Sequence, residues 1–150
     1  MNKKFYYSFT AILCYILIDA FFMPWVYPGV MIPWMDPAIG VSGFRLPLMQ
    51  VREAGVSDYI AYIVYLYPVC ALLILFLGAF STSIINIIVP SLKIIQLLPT
   101  LYFAYKITSM GTMETMVQSI HSFGIGMYHT LIVSALLFIV GVKEIFKLKN

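Results

Sequence analysis

Four apolar stretches, at roughly residues 5–26, 59–80, 84–107 and 122–146, are each near the length that crosses a bilayer. A hydrocarbon core about 30 Å thick takes about 20 residues of helix, and within it each backbone amide must be bonded inside its own segment or its own closed sheet. The expected fold is an all-α integral membrane protein. It is a four-transmembrane-helix bundle forming a single domain, with one long outer loop at residues 27–58. Composition agrees, since the 150 residues are 62% hydrophobic and 10% charged with a mean hydropathy of +0.96, whereas soluble domains carry roughly 25% charged residues.

Charge placement sets the topology. Lys3 and Lys4 lie at one end of the chain and Lys143, Lys147 and Lys149 at the other, so the positive-inside rule puts both termini in the cytoplasm and demands an even number of spans. The net charge of +3 is therefore assigned to topology, and no nucleic-acid partner is expected. The first apolar run is longer than a signal-peptide core and lacks a small-x-small cleavage site, so it is expected to be a retained span. Trp25, Tyr27 and Trp34 mark its outer end as an aromatic belt.

Within the outer loop, apolar pieces are broken by Pro33, Pro37, Gly40, Gly43 and Pro47, which favours short extended segments and a small β-hairpin cap. Ser57 or Asp58 can cap the second helix, and Pro68 is expected to kink it. The third span is expected as one long helix bent at Pro90 and Pro99 and carrying Lys93 at mid-depth. The other reading makes Lys93 part of a cytoplasmic turn before a short span from Ile94. Ahead of the fourth span, Met113, Met116, Val117 and Ile120 sit at helical spacing. Ser122, Gly124, Gly126, Thr130 and Ser134 fall largely along one side, a pattern that permits close helix approach.

Asp19 is the residue that most needs explaining. A carboxylate turned to lipid in the bilayer costs about 2.5 kcal/mol or more, so Asp19 is expected to face inward, carry a proton or pair. Counting about 1.5 Å per residue leaves an axial gap to Lys93 of roughly 7 Å, within reach of an extended lysine. An intramembrane Asp19–Lys93 pair, with Gln96 and Asn86 as polar neighbours, is the expected arrangement. It serves either to fix which helices meet or to move protons or ions.

Methionines crowd the predicted outer side. Met110, Met113 and Met116, followed by His121, make a candidate copper site because thioethers select Cu(I); the competing use is adaptable packing. His121 and His129 lie about 80° apart in helical projection, so they do not chelate one metal in the usual way. Cys14 and Cys70 are expected to be buried apolar residues inside spans. No catalytic motif is legible, so no enzyme activity, cofactor or resident metal is expected.

Pro24-Trp25, Ser42-Gly43-Phe44 and the stretch "GIGMY" from Gly124 to Tyr128 resemble the "PW", "SGF" and "GxGxY" features of a broad group of small, mostly uncharacterised bacterial four-span inner-membrane proteins. The outline is also similar to claudin-like tetraspans, although the claudin signature cysteines are missing from this loop. The resemblance implies a multi-pass protein of the bacterial inner membrane. The function expected is a non-catalytic accessory or interaction subunit. Its neighbours are the lipid bilayer and a membrane-protein partner or further copies of itself, and Trp34, Phe44 and Arg45 form the partner-facing part of the loop. The alternative is a small oligomeric transporter or channel using Asp19 and Lys93, and a third reading is copper handling at the outer methionines.

Overall fold

The computed structural model describes residues 3–27, 40–45, 62–80, 84–108 and 123–149. In chain order these residues form α1 (Lys3–Phe22), β1 (Pro24–Val26), β2 (Val41–Ser42), α2 (Leu66–Gly78), α3 (Ile85–Ile95), α4 (Leu98–Thr108) and α5 (Ile125–Lys149). The protein is mainly helical, and its small sheet fits the hairpin expected after the first helix.

Periodicity decides which face of each helix is covered. On α1 the buried residues are Thr10, Leu13, Cys14, Leu17, Ala20 and Phe21, spaced by three and four as one stripe of a helix requires. Ile12, Tyr15, Ile16, Asp19 and Phe22 occupy the exposed side. On α5 the matching stripe runs through Met127, Thr130, Ser134, Leu137 and Gly141, all buried. α1 packs against α2 and α5, and α3 packs against the same two helices, so the four close into a cycle around a core that includes Leu17, Phe21, Ile74 and Leu137.

Side-chain contacts give the directions. The beginning of α5 meets the end of α1, where a Cβ at Gly126 would lie 2.7 Å from the Ala20 carbonyl oxygen. Near the other end of α5, Glu144 and Thr10 of α1 share the Lys93 ammonium. The two helices are thus antiparallel, and the first and last described residues of the chain lie at the end away from the sheet. α2 starts beside the sheet and runs away from it, and α3 returns.

Two helical segments among the described residues, Ile85–Tyr102 and Ile125–Leu148, are long and apolar enough to cross a membrane, while the apolar segments Ser8–Phe22 and Tyr62–Gly78 are shorter. The four apolar stretches thus hold two longer and two shorter apolar helical segments among the described residues.

Pro68 and Pro99 stand near helix starts and Pro90 inside a helix. Pro68 does not kink a helix interior: it is the third residue of α2, just after a 3₁₀ turn at residues 62–65, among the first-turn donors that have no intrahelical partner in any case. The third apolar stretch is two helices separated by a turn at Gln96 and Leu97. Pro99 supplies no N–H to Ile95 and its ring crowds that carbonyl. The chain tightens ahead of it, with Leu97 N–H donating to Ile94 O at 3.0 Å, before Leu101 N–H resumes helical bonding to Leu97 O at 3.1 Å. Pro90 lies within α3, buried and uninterrupted.

Candidate functional site

Polar side chains from α1, α2, α3, α4 and α5 meet inside this apolar cycle. Lys93, on the buried face of α3, places its Nζ 2.8 Å from each carboxylate oxygen of Glu144 and 3.2 Å from the Thr10 hydroxyl. The two members of the pair differ in exposure: the Lys93 side chain is 3% exposed and that of Glu144 is 26% exposed. Such a bidentate, charge-assisted contact compensates the ammonium for the water it loses. Gly141 makes the approach possible, because a Cβ there would stand 2.8 Å from Pro90 O and 2.9 Å from the Lys93 Cβ.

One turn further along the third stretch, buried Gln96 sends its Nε2 toward the Ser134 carbonyl at 3.4 Å. Its Oε1 is buried and has no hydrogen-bond partner among the described residues. Thr100 then links two helices, with its hydroxyl 2.6 Å from Tyr67 Oη and 3.3 Å from Ser134 Oγ. From Glu144 through Lys93, Gln96 and Ser134 to Tyr67, polar groups line the interior from the end carrying the chain termini toward the sheet. Cys14 and Cys70 are free and buried in the same interior, as the sequence suggested.

At the opposite end the chain builds a close-fitted cap on Trp25. The indole is fully buried, donates from Nε1 to Ala20 O at 2.8 Å, and meets Phe21 and Tyr67 edge to face. β1 and β2 pair antiparallel, Pro24 with Ser42 and Val26 with Val41, and the register is irregular around Trp25. Val26 also bridges Phe123, and Gly124 N–H donates to Trp25 O at 2.7 Å. Glycine is needed where these pieces touch. A Cβ at Gly43 would fall 2.5 Å from the indole ring, and one at Gly124 would collide with Pro24 O.

The three short motifs singled out in the sequence thus come together in one cap, which the sequence alone did not reveal. Phe44 and Arg45 stand exposed on its lip. Phe44 is held by its N–H to Phe21 O at 3.3 Å and by Tyr65 Oη donating to its carbonyl at 2.8 Å. Beside them Phe22, Pro24, Gly40 and Ser42 complete a groove of about 400 Å³.

The structure does not bring Asp19 and Lys93 together. Lys93 meets α1 at Thr10, nine residues before Asp19 and so about 13 Å away along the axis. Asp19 is moreover exposed on the far side of α1, since two residues beyond Leu17 is about 200° of helical rotation. Glu144, which pairs with Lys93, is not among the residues that the sequence singled out. Its signal was present all the same: residues 127, 130, 134, 137, 141 and 144 continue one helical stripe.

Asn86 is exposed at the start of α3 and is no neighbour of the pair. Trp34, Met110, Met113, Met116 and His121 lie outside the described residues. Among the described residues no group of three His, Cys, Asp or Glu side chains is placed to hold a metal ion.

No family model matches the chain, and neither a curated protein nor a solved structure matches it.

Proposed function

We propose that the protein is a four-span integral protein of a bacterial cytoplasmic membrane, both ends cytoplasmic, that acts without catalysis as an interaction subunit. Its partner-facing surface is the outward side of α1 together with the Phe44–Arg45 lip of the cap. One observation carries this reading: Asp19 interrupts an exposed stripe of Ile12, Tyr15, Ile16 and Phe22. It lies three residues, about 4.5 Å along the axis, from the end of α1. In a bilayer an acid on such a stripe is unfavourable unless a neighbour supplies a donor or countercharge. No ion pair of Asp19 is found among the described residues, and that role is assigned to a second polypeptide.

The cap suits the same role, because its glycine-fitted contacts hold the lip rigid and so lower the ordering cost of binding. The test is recovery of partners from native membranes by crosslinking and affinity capture. Asp19→Leu should retain insertion and lose the co-purifying polypeptide, whereas unchanged recovery would count against the proposal.

A second reading, a small transporter or channel, is favoured by the polar file from Glu144 to Tyr67. It moves the ionisable centre from Asp19 and Lys93 to Lys93 and Glu144. Reconstituted protein in liposomes would then pass protons or a small ion, and Glu144→Gln would abolish the flux. Absence of flux in the unaltered protein would remove this reading.

A further inference from the structure

The break at Pro99 leaves acceptors without donors inside the bundle. Pro99 has no N–H for Ile95 O, and Leu97 N–H, which an unbroken helix gives to Lys93 O, goes to Ile94 O instead. Lys93 and Gln96 both lie on the buried face, so the Lys93 carbonyl and the Gln96 amide stand on the interior side of the break. Gln96 is fully enclosed, and its Oε1 has no partner among the described residues. Ser134 fixes the amide's orientation, because exchanging its oxygen and nitrogen would set two acceptors 3.4 Å apart. The donors grouped around this point are committed elsewhere. The three ammonium hydrogens of Lys93 serve Thr10 and the two oxygens of Glu144. The Ser134 hydroxyl donates to Leu131 O, so Thr100 donates to Ser134 and Tyr67 to Thr100.

We propose that the break is a binding site for an ordered water, which donates one hydrogen to Gln96 Oε1 and the other to Lys93 O. Backbone groups released by a proline within a bilayer are met by side chains or ordered water, and a buried water is retained where it finds about two to four polar partners. Two unmet acceptors call for a small ligand with two donors. A monovalent cation also suits oxygen atoms, but Lys93 brings a positive charge to the same face one turn away, and the Glu144 carboxylate is already engaged with it. Repulsion at that range in a low-dielectric interior disfavours a second cation. The site goes beyond both functional readings and is independent of them. It lies between the Lys93–Glu144 pair and the Tyr67–Thr100–Ser134 hydroxyls, where water can take up and pass on a proton and the Gln96 amide cannot.

The test is a crystal structure of the full chain, grown from a lipid phase, at a resolution that shows ordered waters elsewhere in the molecule. The expected result is a density peak at hydrogen-bonding distance, about 2.5–3.0 Å, from both Gln96 Oε1 and Lys93 O, and its loss in Gln96→Met. A map without a peak bonded to both oxygens overturns the proposal, as does a peak that survives Gln96→Met. An anomalous signal at that point after soaking in rubidium chloride also overturns it, because the occupant is then a monovalent cation. Thermal unfolding of the unaltered protein in nanodiscs gives a second readout that needs no variant to fold. Replacing sodium chloride by N-methylglucamine chloride at the same ionic strength should leave the midpoint unchanged, and a midpoint raised by sodium alone contradicts a water. None of these outcomes bears on the interaction-subunit reading.

Discussion

Lys93 and Glu144 form a bidentate ion pair at 2.8 Å across α3 and α5, with the lysine almost wholly enclosed and the glutamate partly open. The asymmetry makes a prediction. Glu144→Gln leaves an enclosed ammonium with only neutral acceptors, the Thr10 hydroxyl and one amide oxygen, and breaking a buried ion pair in this way costs about 3–5 kcal/mol. Lys93→Met leaves a carboxylate that water can reach and should cost clearly less. Replacing both with methionine should restore most of the loss, because an apolar pair of similar volume is often neutral. Thermal unfolding in detergent of the three variants checks the order. Equal losses from the two single changes would contradict it.

Gly43 and Gly126 set how closely the cap sits on the helices. Alanine at Gly43 would press on the Trp25 ring, and at Gly126 on Ala20 O and the Met23 side chain. Overpacking of this kind costs about 1–3 kcal/mol. Gly126→Ala should be the worse of the two, since it meets backbone where Gly43→Ala meets a ring. Tryptophan fluorescence during unfolding reports both, because Trp25 lies at the contact.

Tyr67→Phe removes one hydroxyl from the link between α2 and α4 while keeping the ring against Trp25. Thr100 retains Ser134 as a partner, so the loss should be about 1 kcal/mol. Thr100→Val removes the 2.6 Å partner of the buried Tyr67 hydroxyl, while Ser134 keeps its bond to Leu131 O at 3.0 Å, and should cost more. A double-mutant cycle on Tyr67 and Thr100 measures the coupling; additive effects would mean that the 2.6 Å contact contributes nothing.

Much of this architecture was legible in residue spacing. The apolar runs coincide with the helices, although α2 begins at Leu66 and β1 takes Pro24–Val26 from the end of the expected first span, and the proline- and glycine-broken loop marked a short sheet. Depth counted along the axis was a poor guide to pairing, because it missed the height, Lys93 meeting α1 nine residues before Asp19, and ignores azimuth. Asp19 and Lys93 seemed within reach by height, yet Asp19 lies about 200° from the buried Leu17 position. Glu144 lies near the end of the expected fourth span among three lysines, and its place on the buried face shows only when the stripe from Met127 is followed to the end of the helix. The convergence of the cap motifs was not legible either. They are separated by 16 or more residues, and what joins them is steric: glycines admitting a ring and a carbonyl that no local pattern announces.

Exposure separates folding from function at Asp19. Because its side chain takes no part in the buried core, Asp19→Asn should change the unfolding midpoint by less than the equivalent of about 0.5 kcal/mol, as surface changes usually do. The same change should weaken partner recovery, since it removes the charge and keeps the shape. A large drop in stability would place the carboxylate in the core.

The most direct test of the outward Asp19 uses a photo-crosslinking amino acid introduced at that position in native membranes, with the same probe at Leu17 for comparison. The account predicts a polypeptide adduct from position 19 and only internal products from position 17. Adducts from position 17, or lipid products alone from position 19, would contradict it.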